Sequence, residues 1–289
     1  MYFVLSTGRA GSRTIATALN QIPGTVCLHH PKPELVAEAT AFFCGTEPRA
    51  EIEKVLRETR KSTLDGKVYG EVNLQHTLLF PILRDVFPEA KYIWLIRDGR
   101  DSVASMYYRG WYDEVYPRQG PEWRKGRLHG DRTGDYTHEQ WAAMSRFEKC
   151  CWCWLKYNQV IEDQLSRLEP SMWAKVRLDR LTSSLPRLQK FLELPELGKV
   201  QVEQLNTARQ PVSYWERWTP RQRASFEKIC GAAMDRWFPE WKSPSGIWRN
   251  LAAEPVHHPG RVETLWRNSR ATAERVSGQL KRVGARMRG

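Results

Sequence analysis

The sequence predicts an α/β fold, a three-layer sandwich in which helices cover both faces of a central parallel sheet. Five short stretches of β-branched and aromatic residues recur within residues 1–180, and segments with helical periodicity separate them. Because these stretches are apolar almost throughout, they are typical of strands that are buried on both faces. Strands of this kind that alternate with helices indicate a parallel sheet with helices on each side.

The individual elements follow from the same patterns. The predicted strands lie, in chain order, at Tyr2–Ser6, Thr25–His29, Lys67–Val72, Tyr92–Arg97 and Trp173–Leu178. The predicted helices cover Ser12–Gln21, Glu51–Lys61, Thr77–Phe87, Arg100–Arg109, His138–Arg167 and Arg221–Trp237. Residues 110–134 mix proline, glycine, tryptophan and charged residues without a period, which indicates a long functional loop or lid.

The C-terminal region differs from the rest of the chain. Residues 243–260 contain three prolines and two glycines, so we predict a domain over residues 1–242, a linker over 243–260 and a tail over 261–289. In the tail, apolar residues recur at intervals of three and four, and arginines occupy the other faces. Such a basic amphipathic helix can contact an anionic membrane surface or self-associate, although a docked or frayed tail explains the same pattern.

Composition and charge exclude several classes of protein. With 41% hydrophobic and 27% charged residues, the chain of 289 residues resembles one large globular domain and not a disordered protein. No apolar run approaches the roughly 18 residues that a membrane-spanning helix needs, and no secretory signal is recognisable, so we expect a cytoplasmic protein, peripheral to a membrane at most. The formal net charge of +12 favours polyanionic partners. Half of that excess lies in residues 246–289, which disfavours nucleic acid as the partner of the main domain.

The cysteines predict free thiols. They lie at positions 27, 44, 150, 151, 153 and 230, a spacing that suits neither a disulfide framework nor a zinc site built from two cysteine pairs. We therefore expect a reducing environment and no bound metal, with a weak metal site at the cluster of three cysteines as the alternative.

The turn after the first predicted strand has the composition of a phosphate-binding loop. Gly8 and Gly11 allow close approach of the backbone, and the following helix offers free N–H groups and the positive end of its dipole. Arg9 and nearby hydroxyls add donors. A nucleoside-triphosphatase loop has four residues between its glycines and then Lys-Ser/Thr, which this chain lacks. The turn thus favours a phosphorylated ligand other than a magnesium triphosphate, with an ordinary strand-to-helix turn as the alternative.

A second motif lies around the fourth predicted strand. That strand ends at Arg97, which places the guanidinium at the carboxyl edge of the sheet, where open α/β sheets bind ligands. Asp98 is suited to cap the next helix, and Ser105 lies about two turns into it. Arg97 and Ser105 are therefore able to reach one phosphate together, unless local salt bridges occupy the arginine.

Taken together, the two motifs resemble those of the PAPS-dependent sulfotransferases. In that family a Lys/Arg-x-Gly-Ser/Thr loop holds the 5′-phosphosulfate of the donor, and an Arg-Asn/Asp-Pro/Gly-Arg/Lys-Asp element with a later serine holds the 3′-phosphate. The resemblance covers about residues 1–240 and implies a P-loop-like sulfotransferase fold, PAPS as the donor, PAP as the product and no metal. The donor-binding residues that it implies are Arg9, Ala10, Gly11, Ser12, Arg13, Thr14, Arg97, Ser105 and Arg209.

The catalytic residues that the resemblance implies are Arg9 and a general base. Arg9 would act as a fixed cation at the leaving phosphate, because arginine does not give up a proton readily. Two candidates for the base remain open. Glu71 follows a glycine as the family's acid does, but Val72 replaces the lysine that often comes next. His30 lies where some bacterial relatives have an acid, and its ordinary pKa suits neutral chemistry. His29 and His76 are expected to be structural.

The expected function is therefore transfer of a sulfuryl group from PAPS to a hydroxyl or amine of a small molecule, glycan or lipid. The aromatic residues Trp111, Tyr112, Tyr116 and Trp123 predict an apolar wall over the acceptor. One alternative is a small-molecule kinase that uses ATP with magnesium. The other is a non-enzymatic nucleotide or nucleic-acid binder that uses the basic tail, whose affinity would fall steeply with salt.

Overall fold

A computed structural model describes residues 1–61, 63–114, 120–194 and 214–242, with the backbone alone for residue 63. The predicted linker and tail, Tyr116 and Arg209 lie outside the described residues. The strands are β1 (Tyr2–Ser6), β2 (Thr25–His29), β3 (Thr63–Leu64), β4 (Lys67–Val72), β5 (Lys91–Ile96) and β6 (Trp173–Arg177). The helices are α1 (Ser12–Asn20), α2 (Val36–Phe43), α3 (Arg49–Thr59), α4 (Gln75–Leu78), α5 (Phe80–Val86), α6 (Gly99–Tyr108), α7 (Pro121–Lys125), α8 (His138–Ala143), α9 (Arg146–Leu165), α10 (Leu181–Phe191) and α11 (Pro220–Trp237).

The central sheet is parallel, in the order β2-β4-β1-β5-β6, and the short β3 adds an antiparallel pair to β4. Strand β1 lies in the middle, with β4 on one side and β5 on the other. The loop that leaves β1 therefore emerges between the carboxyl ends of β4 and β5, which is the place where open α/β sheets bind ligands. The predicted α/β fold and all five predicted strands are confirmed.

The alternation of side chains along β1 explains why that strand is apolar throughout. Phe3 and Leu5 belong to one hydrophobic cluster, whereas Tyr2 and Val4 belong to a second cluster that includes side chains of α1 and α10. All four side chains are completely buried. Because successive residues of a strand point to opposite faces, a strand between two layers of helices needs apolar residues at every position.

The helical prediction was wrong in several places. Helices α2, α7 and α10 were not predicted, and Pro186 inside α10 is a residue that ordinarily argues against a helix. The helix predicted over Thr77–Phe87 is two helices, α4 and α5. The helix predicted over His138–Arg167 is two helices, α8 and α9. Ser145 separates them, because its side chain accepts from the backbone N–H of Glu148 while the Glu148 carboxylate accepts from the Ser145 N–H.

Replacing Gly70 with alanine is expected to destabilise the fold by about 1–3 kcal/mol. A Cβ at Gly70 would lie 2.0 Å from the Tyr2 ring, which crosses the neighbouring strand to hydrogen-bond with Thr25. Gly231→Ala is the control, because a Cβ there meets an ordinary contact at 3.6 Å inside α11, and alanine favours helix. Denaturant unfolding should show a loss for Gly70→Ala and no loss for Gly231→Ala; equal stability of the two variants would contradict this packing.

All six cysteines are free, as expected from their spacing, and five of them are buried. Burial raises the pKa of Cys27 to about 12 and that of Cys153 to about 11, so these thiols are poor nucleophiles and poor metal ligands. None of the helices in the described ranges is long and apolar enough to cross a membrane.

Candidate functional site

The loop between β1 and α1 forms a cradle of backbone N–H groups. Gly11 precedes α1 with φ of 94°, and Arg9 also has a positive φ, of 69°. Because Gly11 occupies the N-cap position, no side chain caps α1. The N–H groups of the first helical turn are therefore available to an anion, in line with the helix dipole.

Trp111 packs directly on this loop and explains why Gly8 is a glycine. A Cβ at Gly8 would lie 2.2 Å from the Trp111 ring, so a larger residue would push the two segments apart. The Arg127 guanidinium lies 3.8 Å from the centre of the Trp111 ring, and the Gly126 carbonyl accepts a hydrogen bond of 2.7 Å from Thr40. Both described parts of the 110–134 segment are thus held against the body of the domain.

Two residues of the second motif meet the loop. The Arg9 Nε donates to the Ser105 hydroxyl at 3.0 Å, and Arg97 donates through Nη1 to the backbone carbonyl of Arg9 at 3.1 Å. Asp98 caps α6 as predicted, by accepting from the Arg100 N–H, while Asp101 lies 3.5 Å from Arg97. The structure therefore brings Arg9 together with Arg97 and Ser105, which lie 88 and 96 residues further along the chain.

The electrostatics of this cluster favour an anion. Burial, followed by repulsion from Arg109 and Arg97, lowers the pKa of Arg9 to about 10. A negative ligand between these guanidinium groups would relieve the repulsion and restore the interactions that Arg9 loses on burial. Arg109 was not identified from the sequence. Its position four residues after Ser105, directly after the end of α6, is the signal that would have found it.

The other residues of the predicted donor site differ in their surroundings. Ser12 bonds through its hydroxyl to His29 Nε2 at 2.9 Å. Ala10 is buried, Thr14 is half-buried, and Arg13 is exposed to solvent. The predicted contribution of Arg209 lies outside the described residues.

His29 is expected to titrate near pH 4. Burial, followed by the neighbouring His30 and Arg13, lowers its pKa to about 4, from about 6.5 for an ordinary histidine. The ring should therefore be neutral at pH 6, and its bond to Ser12 should persist there. Histidine NMR of the full chain checks this, with His138 as an exposed histidine for comparison. A midpoint near 6.5 for His29 would contradict the environment described.

His30 lies next to this pair, in a strained backbone conformation. Its φ is 55°, and its Nδ1 lies 3.3 Å from a carboxylate oxygen of Glu34. The ring centre is 4.2 Å from that of His29 and 5.4 Å from that of Trp123. Burial lowers the pKa of His30, and the Glu34 carboxylate partly opposes this effect. A neutral imidazole with one nitrogen facing a carboxylate is suited to accept a proton on the other nitrogen.

Glu71 is located differently from His30. It has no exposed surface, and its carboxylate oxygens lie 2.7 Å from Arg60 Nε and 2.9 Å from His76 Nε2. The Tyr69 hydroxyl donates a third contact of 2.5 Å. Burial alone would raise the pKa of Glu71, but its contacts with His76, Arg60 and Tyr69 hold the pKa below its usual value. The carboxylate is thus enclosed by protein groups and not open to the cleft.

The predicted aromatic wall is only partly present among the described residues. Trp123 is half-buried beside His30, whereas Trp111 packs under the cradle. Tyr112 donates its hydroxyl to the Leu128 carbonyl at 2.8 Å, which ties it to the body of the domain. Trp123 is therefore the member of this set that lies beside a candidate catalytic group.

Comparison with known proteins finds a family that the chain's central segment resembles. The sequence profile described as "Sulfotransferase family" matches residues 44–170. Residues 44–170 are therefore similar to the sulfotransferase family. The matched segment contains Arg97, Ser105 and Arg109 of the cluster, together with Glu71, whereas Arg9 and His30 precede it. No curated protein sequence gives a significant match.

Solved sulfotransferase structures are similar to the chain at low identity. The sulfotransferase from Alicyclobacillus acidocaldarius has 14% identity and a TM-score of 0.48, over 81% of this chain and 93% of that one. The mouse sulfotransferase SULT7A1 complexed with PAP has 13% identity and a TM-score of 0.47, over 86% of each chain. The sulfotransferase STF9 from Mycobacterium avium has 12% identity and a TM-score of 0.47, over 82% of this chain and 76% of that one.

Proposed function

We propose that the protein is a PAPS-dependent sulfotransferase. It would transfer a sulfuryl group from PAPS to a hydroxyl or amine of a small-molecule, glycan or lipid acceptor, without a metal, and release PAP. The observation that carries this proposal is the meeting of the two phosphate-binding motifs, through the bond from Arg9 to Ser105 and the bond from Arg97 to the Arg9 carbonyl.

The residues present fit a donor that carries phosphate groups at two positions. The cradle at Gly11 and the Ser12 hydroxyl suit the 5′ end, while Arg97 and Ser105 suit the 3′-phosphate. The positive φ of Gly11 supports this fit, because glycine adopts this conformation without strain, and a Cβ there would lie 2.5 Å from the Leu178 side chain. When bound, PAPS supplies a sulfuryl group that is activated by a phosphate leaving group.

Arg9 has an electrostatic role in this proposal. Even with a lowered pKa of about 10, its guanidinium stays protonated at neutral pH. It is fixed by Ser105 and by the loop backbone, so it can stabilise negative charge that develops on a phosphate oxygen without reorganising. Fixed cations of this kind perform the charge stabilisation that a metal ion performs in other transferases.

His30 is the residue that we propose as the general base. Its Nδ1 faces Glu34, which orients the ring and would stabilise the imidazolium after proton transfer. Its neighbour His29 bonds to Ser12, so the base candidate lies close to the donor loop. Glu71 lacks the exposure that a base for an incoming acceptor needs, and we propose a positioning role for it instead.

The location and the tail complete the proposal. The free thiols support a cytoplasmic location, because a reducing compartment keeps cysteines unpaired. For the basic tail we propose contact with an anionic membrane surface or with a second copy of the chain.

The test is transfer of radioactive sulfur from PAPS to a panel of alcohols, phenols, sugars and amines by the full chain with EDTA present. We expect a labelled product and release of PAP with at least one acceptor class. A parallel incubation with labelled ATP and magnesium tests the kinase alternative. Labelling from ATP, with none from PAPS over the whole panel, would overturn the proposal.

A further inference from the structure

Arg60, the residue that follows α3, makes an unusual set of contacts for a buried arginine. Its guanidinium donates to the backbone carbonyls of Lys32 at 3.0 Å, Pro33 at 2.9 Å and Pro31 at 3.4 Å. The side chain is 2% exposed, and its Nε lies 2.7 Å from Glu71. One guanidinium thus holds three successive carbonyls of the segment that follows β2.

That segment carries the proposed base. His30 begins it and Glu34 ends it, and both His30 and Leu35 have positive φ values, of 55° and 53°. Residues other than glycine hold such conformations only where the surroundings enforce them. The His30 N–H donates to the Val72 carbonyl at 3.0 Å and Asn73 donates to the Glu34 carbonyl at 3.2 Å, so the backbone at each end is bonded to β4 or to the residue that follows it. Arg60 supplies the contacts between these two ends.

Arg60 is itself oriented by a buried carboxylate. Glu71 has no exposed surface and is also contacted by His76 and Tyr69. A guanidinium has five donors in a rigid planar fork, so one orientation can satisfy both a carboxylate and several carbonyls. Arg60 therefore connects the sheet, through Glu71, to the segment that carries His30, through the carbonyls of residues 31–33.

We propose that Arg60 is a positioning residue that fixes the backbone of residues 31–33 and thereby places the imidazole of His30 and the carboxylate of Glu34. This inference rests on the proposed function, in which His30 accepts the proton of the acceptor. It also gives Glu71 a defined role, which is to hold Arg60 in the orientation that reaches the three carbonyls.

The test is histidine NMR of the full chain with Arg60→Lys. Lysine keeps the positive charge, but a single ammonium cannot contact Glu71 and three carbonyls at once. The groups that face His30 are Glu34, His29, His76 and Lys32, and all four are unchanged in this variant. We expect the His30 titration midpoint to rise toward the ordinary value near 6.5, because the freed segment is less buried.

The controls separate positioning from stability. Arg57→Lys changes an exposed arginine one turn earlier in α3 and should leave the His30 titration unchanged. His30→Gln assigns the signal. The double variant Arg60→Met with Glu71→Gln removes both buried charges. It therefore removes the contacts of Arg60 with residues 31–33 without leaving a buried charge unpaired.

A folded Arg60→Lys protein with an unaltered His30 titration would overturn the inference. Unfolding of both Arg60 variants would also overturn it, because Arg60 would then be needed for the stability of the whole fold and not for the position of residues 31–33. Binding of PAP to the wild-type chain is measured on the same samples. If the wild-type chain does not bind PAP, the proposed donor is refuted, but the effect of Arg60→Lys on the His30 titration can still be interpreted.

Discussion

Replacing Arg97 with alanine is expected to weaken binding of PAP by about 100-fold, or about 2.7 kcal/mol. Arg97 lies at the end of β5, where its guanidinium reaches the carbonyl of Arg9 and is partly exposed to the cleft. The variant would lose a charge-assisted bond to phosphate and also the contact that holds Arg9 beside Ser105. Isothermal calorimetry with PAP measures the loss directly.

Two matched variants sharpen this result. Arg97→Lys keeps the charge without the planar fork, so its affinity should fall between those of wild type and Arg97→Ala. Arg167→Ala removes an exposed arginine that pairs with Asp163 on α9 and should bind PAP as the wild type does. If Arg97→Ala binds PAP as tightly as Arg167→Ala, Arg97 does not contact the donor.

Replacing Glu71 with glutamine is expected to lower the free energy of unfolding by about 3–5 kcal/mol, because it leaves the buried guanidinium of Arg60 without its partner charge. This would be the largest stability effect among the substitutions considered. PAP binding by the folded fraction should change by no more than about three-fold, a factor worth less than 1 kcal/mol. Denaturant unfolding and calorimetry measure the two quantities.

The effect of Glu71→Gln also has a defined pH dependence. The pKa of Glu71 is held below its usual value, so the unfolded chain takes up this proton at higher pH than the folded one. The stabilisation is therefore complete above the unfolded pKa, near 4.3, and is lost as the pH falls through the lower folded pKa. The difference between variant and wild type should shrink below about pH 4. The exposed Glu58→Gln is the control and should stay within about 0.5 kcal/mol at every pH; a constant difference for Glu71→Gln would contradict the buried ion pair.

The elements that could be predicted are those in which the hydrophobic pattern of the sequence matches the burial of the side chains in the folded structure. Strands such as β1 and β5 are apolar on both faces because two layers of helices cover them, and the sequence carries that requirement at every position. The same agreement placed Arg97 at the sheet's edge and Ser105 within reach of the loop. The break between α8 and α9 was also encoded, as a capping box at Ser145, but the continuous apolar pattern obscured it.

The parts that could not be predicted depend on contacts between distant segments. Glu71 was a candidate for the general base, yet it pairs in register with Phe3, whose side chain lies in the larger hydrophobic cluster. Its neighbours Gly70 and Val72 do not indicate whether the face of β4 that carries Glu71 is covered by helices or open to the cleft. Arg60 carries no local signal either, since its role appears only when α3 and the segment after β2 are packed together.

The cluster of Arg9, Arg97 and Ser105 is proposed to bind PAP through its two phosphates. Calorimetry of the wild-type full chain with PAP in EDTA tests this proposal, and a separate titration with ATP and magnesium gives the comparison. We expect saturable binding of PAP with one site per chain, no requirement for a metal and weaker binding of ATP. Absence of PAP binding, or binding of ATP with magnesium in preference to PAP, would contradict it.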